Sequence, residues 1–196
     1  MPEDTQLSDS DGVFLVKTAR MAVTEFLSNY KRMKLESEHE KKFSFNSGVF
    51  VTLNNADGLR GCIGFPMPDK KLSHGIIDAA IAAATEDPRF SPVKINELNE
   101  IVFEITVLTP PVEITVTDPV EYLEKIKVGR DGLIIRNSFS SGLLLPQVPV
   151  EYGWNVEEFL QHTCEKAGLE KDTWKNEKVK IEKFVGIVYK EETNGS

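Results

Sequence analysis

Residues 48–65 read GVFVTLNNADGLRGCIGF, and this stretch decides the fold that the sequence predicts. Its first part alternates, with Val49, Val51 and Leu53 on one face, as in a strand that is buried on one side only. The segment NNADG follows and is typical of a tight turn, because an aspartate–glycine pair tolerates positive φ angles. The segment LRGCIGF then predicts the return strand of an antiparallel hairpin.

Further helices and strands are predicted on both sides of this hairpin. In chain order they are a helix over 10–30, a charged connection over 31–46, a helix over 74–86, strands over 100–108 and 111–116, a short helix over 118–126, a second hairpin over 128–147, a helix over 155–167 and a strand over 178–189. Three helix starts have local signals: Ser73 as an N-cap, Asp118 before a proline, and Asn155 with Glu158 in a capping box.

The order of these elements repeats along the chain. A hairpin, a helix and a strand over 48–108 are followed by a hairpin, a helix and a strand over 128–189. We therefore predict an α+β fold in which two related halves share one mainly antiparallel sheet, of open or barrel-like form, with helices packed on it.

The charge and hydropathy of the chain exclude several classes of function. Lys+Arg 23 against Asp+Glu 31 gives a net charge of −8, whereas a large nucleic-acid interface usually needs a basic face. The sequence contains no run of about 18 apolar residues, so it predicts no membrane span. The acidic N-terminus is unlike a secretory signal. We expect a cytoplasmic protein that binds neither nucleic acid nor membrane.

The two cysteines, Cys62 and Cys164, lie in different patterns. They form no CxxC motif and no paired Cys/His spacing, so we expect neither a metal site nor, in a reducing cytoplasm, a disulfide. Cys164 lies on the apolar stripe of its helix, which is typical of a core residue. Cys62 lies between two glycines, which would leave its sulfur unshielded.

The environment of Cys62 supports two interpretations. Alternation in a strand places Arg60 and Cys62 on the same face, and a nearby cation favours the thiolate, so the pair predicts a catalytic nucleophile with its activating residue. The structural alternative is that glycine marks a bulge or a close backbone approach, with the arginine bound to a carboxylate or to carbonyls. His74 and His162 are the candidate general bases, although no spacing places either beside Cys62.

Four further polar residues are candidates for a ligand site: Arg89, Glu104, Gln147 and Glu151. Arg89 could bind an anion and Glu104 could face a cleft. The structural alternatives are a helix stop for Arg89, a solvated face for Glu104, and a strand exit with satisfied polar groups for the other two. The sequence contains no P-loop, dinucleotide fingerprint or EF-hand loop, so it identifies no cofactor.

A set of short motifs together resembles one protein family. They are FVTL (50–53), LRGCIG (59–64), DPRF with SPV (87–93), EL (97–98), EITVLTPP (104–111), LLPQV (144–148), and FL with KAGL (159–160 and 166–169). On these motifs the chain resembles the archaeal and bacterial members of the AMMECR family, whose signature is LRGCIG. The resemblance covers residues 10–190, and we expect disordered tails over 1–9 and 191–196.

The resemblance implies an α+β fold of two unequal lobes with the signature near the cleft between them. It carries the whole signature over as the candidate site: Leu59, Arg60, Gly61, Cys62, Ile63 and Gly64. By association it implies a Memo-like protein or a radical-SAM protein as partner, in a modification or metal-linked pathway. It implies no particular reaction, so a cysteine-dependent enzyme and a non-enzymatic binding or scaffold protein for a protein or anionic ligand both remain open.

Overall fold

The computed structural model describes residues 7–176 and 179–192. The chain forms two compact units, of which the first comprises Met1–Leu108 and Ile187–Ser196 and the second Thr109–Gly186. The expected disordered tails over 1–9 and 191–196 lie mostly outside the described residues; within them, Ser8 caps the first helix and Asp9 is its first residue. No helix in the described ranges is long and apolar enough to cross a bilayer.

Both units contain helices and strands. In chain order they are α1 (Asp9–Asn29), α2 (Ser37–Lys42), β1 (Val49–Asn55), β2 (Gly58–Phe65), α3 (Leu72–Thr85), β3 (Val102–Leu108), β4 (Val112–Glu113), α4 (Tyr122–Lys125), β5 (Gly132–Arg136), β6 (Ser141–Leu144), α5 (Gln147–Tyr152), α6 (Val156–Lys166), β7 (Lys180–Phe184) and β8 (Gly186–Lys190). Short 3-10 helices precede β3, α4 and β7, at Ile95–Glu100, Pro119–Glu121 and Lys171–Lys175.

The first unit is built on a four-stranded sheet with strand order β2-β1-β3-β8. The predicted hairpin is confirmed, since β1 pairs antiparallel with β2, and β1 also pairs antiparallel with β3. One side of the sheet is apolar and packs on α3 and α1. Its fully or almost fully buried side chains are Val49, Val51, Leu53, Phe103, Ile105 and Val107.

The helices of this unit differ from prediction mainly at their starts. Helix α1 begins with a capping box formed by Ser8 and Asp11. Helix α3 starts at Leu72 rather than at 74, and its N-cap is Lys71. The N-cap predicted at Ser73 is therefore wrong, because Ser73 lies in the first turn of the helix and is fully buried. Helix α2 lies within 31–46, where the charge density predicted only a connection.

The second unit is built on a separate four-stranded sheet with strand order β4-β7-β5-β6. Helix α6 packs on β5 and β6. It begins with the predicted capping box, in which the Asn155 side chain accepts from the Glu158 N–H and the Glu158 carboxylate accepts from the Asn155 N–H. Cys164 is fully buried in the core on this helix, as its apolar stripe predicted.

The last predicted strand, over 178–189, corresponds to two strands in different sheets. Residue 178 lies outside the described residues, β7 belongs to the second sheet, and β8 belongs to the first. The break falls at Val185, whose backbone N–H and C=O bind Thr109. The predicted α+β fold with antiparallel strands is confirmed, but the two halves do not share one sheet, since the fold has two open sheets.

The predicted hairpin–helix–strand repeat is confirmed as a repeat of topology. In the first sheet the central strand β1 pairs antiparallel with β2 and with β3, the strand that follows α3. In the second sheet β5 pairs antiparallel with β6 and with β7, the strand that follows α6. A glycine on the edge strand of each hairpin lies against the end of the packed helix, since a Cβ would lie 2.2 Å from the Ala83 carbonyl oxygen at Gly61 and 2.3 Å from the Ala167 nitrogen at Gly142. These two glycines align the positions of the two sheets.

Candidate functional site

The signature strand β2 contains a β-bulge at Arg60. Leu53 on β1 pairs with Gly61, whereas the next residue, Asn54, pairs with Leu59, so Arg60 is the extra residue of the bulge. A bulge interrupts the alternation of side chains along a strand. The alternation that was expected to place Arg60 beside Cys62 therefore does not hold here.

The Arg60 side chain binds partners on the segment that precedes β3. Its Nε and Nη2 donate to the two carboxylate oxygens of Glu97 at 3.0 and 3.3 Å, and its Nη1 donates to the Ser91 carbonyl at 2.9 Å. The Arg60 side chain is only 14% exposed, and its hydrogen bonds hold the pKa of the Glu97 carboxyl below its usual value. Arg60 thus fixes the bulge to this segment, as the structural alternative predicted.

Both glycines of the signature are required by close contacts. A Cβ on Gly61 would lie 2.2 Å from the Ala83 carbonyl oxygen near the end of α3. A Cβ on Gly64 would lie 2.3 Å from the Phe50 ring. Real Cβ atoms do not approach other heavy atoms this closely, so glycine permits the helix to approach the sheet at one position and the ring to cover the strand at the other.

The DPRF segment binds the outer edge of β2 at Cys62. The Cys62 backbone N–H donates to Asp87 Oδ2 at 2.8 Å, and Arg89 Nη2 lies 3.5 Å from the Cys62 carbonyl oxygen. Because β2 is an edge strand, these backbone groups point away from β1. The Asp87–Arg89 pair thus takes the place of a neighbouring strand at this residue.

Asp87 and Arg89 form a tight pair with very unequal exposure. The Asp87 side chain is 2% exposed, whereas the Arg89 side chain is 55% exposed. Arg89 donates to the carboxylate from its backbone N–H, Nε and Nη2. The hydrogen bonds from the Arg89 side chain, with that from the Cys62 N–H, hold the pKa of Asp87 far below its usual range against the opposing effect of burial.

The Cys62 thiol belongs to a polar row across three strands. Its Sγ lies 3.2 Å from Thr52 Oγ1, and Thr52 is the cross-strand partner of both Cys62 and Glu104. The row spans about 10 Å, or two strand spacings. It lies on the side of the first sheet that faces away from α3, because Val51 and Leu53 occupy the helix-facing side. All three residues of the row are partly exposed.

The matched row in the second sheet differs at two of its three positions. Leu143 and Ile134 stand where the first sheet has Cys62 and Thr52, and Glu182 stands where it has Glu104. Glu182 is paired with Arg136 at 2.6 Å. The topology therefore requires neither a thiol nor a hydroxyl at these positions.

Four other residues of the candidate set are not members of this polar row. Ile63 packs against the core on the helix-facing side, and Leu59 is exposed at the start of β2. Gln147 and Glu151 lie exposed on α5, in the second unit. Their assignment to a ligand site stays a prediction.

The described residues of the first unit place no candidate general base beside Cys62. His74 lies on α3, which packs on the other side of the sheet, and its Nε2 lies 3.2 Å from a Glu40 carboxylate oxygen. His162 lies on α6 in the second unit, stacked on Trp154 and bound to Glu165. No group of three or more His, Cys, Asp or Glu side chains in the described residues is arranged to hold a metal ion.

Sequence reasoning missed three residues that bind the signature strand: Thr52, Asp87 and Glu97. The hairpin register would have identified Thr52, because it lies directly opposite Cys62. Asp87 was considered only as the first residue of the DPRF motif. No local pattern pairs Glu97 with Arg60, because 37 residues separate them in the chain.

Comparison with known proteins assigns the family. The sequence model of the AMMECR1 family matches residues 16–189. Protein MJ0810 of Methanocaldococcus jannaschii is 50% identical over 187 residues, which cover 94% of this chain and 92% of that protein. Protein PYRAB00100 of Pyrococcus abyssi is 47% identical over 192 residues, which cover 95% and 93%.

A solved structure has the same fold. The crystal structure of the uncharacterised protein PH0010 from Pyrococcus horikoshii superimposes with a TM-score of 0.75 at 48% identity, covering 95% of this chain and 94% of that one. Since the family model and these relatives each span most of the chain, the chain belongs to the AMMECR1 family.

Proposed function

We propose that this protein is a cysteine-dependent enzyme that acts on an anionic substrate on the side of its first sheet that faces away from α3. One observation carries the proposal: Cys62 is partly exposed, and the exposed Arg89 side chain, which buried Asp87 holds in place, lies at the same residue, with Nη2 3.5 Å from the Cys62 carbonyl oxygen. A fixed arginine beside a thiol can orient a carboxylate or phosphate group of a substrate toward the sulfur.

Each residue has a distinct role in this proposal. Cys62 is the nucleophile. When its thiolate forms, the Thr52 hydroxyl donates a hydrogen bond to the sulfur. Arg89 binds the substrate anion through Nη1, which makes no hydrogen bond in the described part of the chain. Asp87 is a positioning residue, and Glu104 contacts the substrate at the far end of the row. A thiol needs no dedicated base to react, since a fraction is thiolate at neutral pH.

The cellular setting is a further part of the proposal. We place the enzyme in the cytoplasm because of the composition of the chain. Its role in a modification or metal-linked pathway, with a Memo-like or radical-SAM protein as partner, rests on the family resemblance alone.

The test compares two alkylating agents that differ in charge. Iodoacetate is anionic and iodoacetamide is neutral, and peptide mass spectrometry measures the rate at each cysteine separately. We expect the ratio of the iodoacetate rate to the iodoacetamide rate at Cys62 to fall several-fold in Arg89→Gln. The matched control is Arg130→Gln, because Arg130 is also half exposed and also pairs with a buried neighbour, Asp131.

Cys164 provides an internal reference in the same digest. Burial raises the pKa of the Cys164 thiol to about 11, so this residue should react slowly with both agents. The enzyme proposal is wrong if Cys62 reacts as slowly as Cys164. The proposed role of Arg89 is wrong if Arg89→Gln and Arg130→Gln give the same ratio of iodoacetate to iodoacetamide rates at Cys62.

A non-enzymatic binding or scaffold protein is the second candidate. The observation that favours it is that Arg60, Gly61 and Gly64 each have a structural reason to be in the signature. In that case the first sheet binds a protein or anionic ligand without covalent chemistry. Cys62→Ser would then keep the thermal stabilisation caused by phosphate or a dicarboxylate, whereas Arg89→Gln would lose it. Formation of a covalent adduct on Cys62 when the protein is incubated with a metabolite extract would favour the enzyme proposal.

A further inference from the structure

We propose that a groove on the first unit is a second ligand site, specific for a small organic anion with an apolar body. The groove has a volume of about 680 Å³ and lies between α1, the segment before β3 and the residues that follow β8. Pockets that hold cofactor-sized or drug-sized molecules have volumes of about 300–1,000 Å³.

The groove is separate from the thiol. Its wall includes the end of β8, and β8 and β2 are the two opposite edges of the first sheet. Three strand spacings, about 14 Å, separate these edges. Ligand binding in the groove can therefore be tested without altering the polar row.

The apolar part of the groove comes from α1 and β3. Val16 and Ile101 are almost completely buried beneath it, and Val102 also lines it. Val13 lies on the same wall and is 52% exposed. An exposed valine over a buried apolar base provides a contact surface for a hydrocarbon chain or an aromatic ring.

The floor of the groove is held rigidly by Arg20. Its guanidinium donates to both carboxylate oxygens of Glu191 and to the carbonyls of Leu98 and Ile101. Glu191 also accepts the backbone N–H of Phe103. Because these groups are already fixed, a ligand would lose little free energy to reorganisation of the floor.

Two lysines make the groove locally basic. The charges of Arg20 and Glu191 neutralise each other. The other charged residues of the lining are two lysines, Lys17 and Lys190, and one glutamate, Glu192, so the net charge of the lining is positive. Both lysines are exposed, and neither forms an ion pair with any described residue. Two free ammonium groups beside an apolar wall favour a carboxylate, sulfonate or phosphate with an apolar body, in a chain whose net charge is −8.

The probe is 8-anilinonaphthalene-1-sulfonate, which combines an anionic group with two aromatic rings and fluoresces when it enters an apolar site. We expect saturable binding to one site on the full chain. The double substitution Lys17→Glu with Lys190→Glu should weaken binding about tenfold, because it replaces two attractions by two repulsions. Val13→Ser should also weaken binding, although it leaves the charge unchanged.

A matched control separates the groove from the overall charge. Lys31 and Lys34 are exposed lysines without an ion pair in the described residues, and their replacement by glutamate changes the net charge by the same amount. That control and Cys62→Ser should each bind the probe like the parent protein. Equal weakening in both double variants overturns the site, and so does the absence of saturable binding to a parent protein whose circular dichroism shows it folded.

Discussion

Replacement of Asp87 by asparagine tests whether this carboxylate organises the edge of the signature strand. The carboxylate accepts four N–H groups: those of the Cys62 and Arg89 backbones, and Arg89 Nε and Nη2. An amide of the same size offers one acceptor oxygen and no charge, so at least one buried donor loses its partner. A hydrogen bond to a charged group contributes about 1.5–3 kcal/mol.

Exposure of Arg89 limits the contribution of the ion pair. The Arg89 side chain is more than half exposed, so hydrogen bonds from water replace much of the stabilisation that Asp87 gives the guanidinium. The expected loss is therefore about 2–3 kcal/mol of unfolding free energy, mainly from the Cys62 N–H and the lost charge. Urea denaturation at pH 7 measures this difference. Asp172→Asn is the control, because Asp172 is exposed and paired with Lys175, and it should change stability by less than about 0.5 kcal/mol.

The same variant has a defined pH dependence. The pKa of Asp87 is depressed in the folded state, so its contribution to stability is present above the unfolded value of about 3.9 and is lost as the pH falls toward the folded value. The gap between the parent and Asp87→Asn should be the same at pH 7 and pH 5, and about 1.3 kcal/mol smaller at pH 3. A variant as stable as the parent at pH 7, or a gap that widens at pH 3, would refute the reasoning.

Three further predictions concern single residues. Gly61→Ala should destabilise the protein by about 1–3 kcal/mol in urea, because the added methyl group would overlap the Ala83 carbonyl. Asn155→Ala should remove one half of the α6 capping box and cost about 1 kcal/mol, and an unchanged urea midpoint would show that the cap is dispensable. Cys164 should be alkylated at neutral pH only as fast as the protein unfolds, so its labelling rate should rise with urea concentration, in contrast to that of Cys62.

Local signals in the sequence were reliable where neighbouring residues determine the structure. The capping box at Asn155 and the short helix after Asp118 formed as predicted, because both depend on contacts within one helical turn. The core position of Cys164 followed from helical periodicity. The hairpin over 48–65 followed from alternation and a glycine turn.

The errors arose where a distant contact determines the local structure. Alternation continues through Val179–Tyr189 in the sequence, yet the chain changes sheets at Val185 because Thr109 binds its backbone. The bulge at Arg60 has no signal of its own, since it depends on Glu97 and on the approach of α3 to Gly61. The sequence likewise predicted either an anion-binding residue or a helix stop at Arg89, and gave no signal that Asp87 and Arg89 bind the Cys62 backbone.

Four of the motifs that carried the family resemblance, LRGCIG, DPRF, SPV and EL, form one connected cluster in the first unit. Within it, Arg60 of LRGCIG binds Ser91 of SPV and Glu97 of EL, and the Cys62 backbone binds Asp87 of DPRF. These contacts explain the backbone and the arginine of the signature without any ligand. They do not explain the thiol, because the Cys62 side chain contacts Thr52 on the side of the sheet that faces away from α3.

The second sheet provides the comparison that separates these two contributions. Its matched positions hold Ile134 and Leu143, so the double substitution Thr52→Ile with Cys62→Leu gives the first sheet the side chains that the same topology already accommodates. If the thiol and hydroxyl are present for function, this variant should fold with an unfolding free energy within about 1 kcal/mol of the parent. If they are packing elements, it should lose about 2–3 kcal/mol or fail to fold.

The reverse exchange, Ile134→Thr with Leu143→Cys, is the matched control. It should cost about 2–4 kcal/mol, because the Ile134 side chain is almost completely buried and the new hydroxyl would have to find a partner there. A large cost in the second sheet and a small one in the first would assign Cys62 and Thr52 to function rather than to stability. Equal costs in both sheets would instead make the thiol part of the packing, and the proposed nucleophile would then lose its main physical argument.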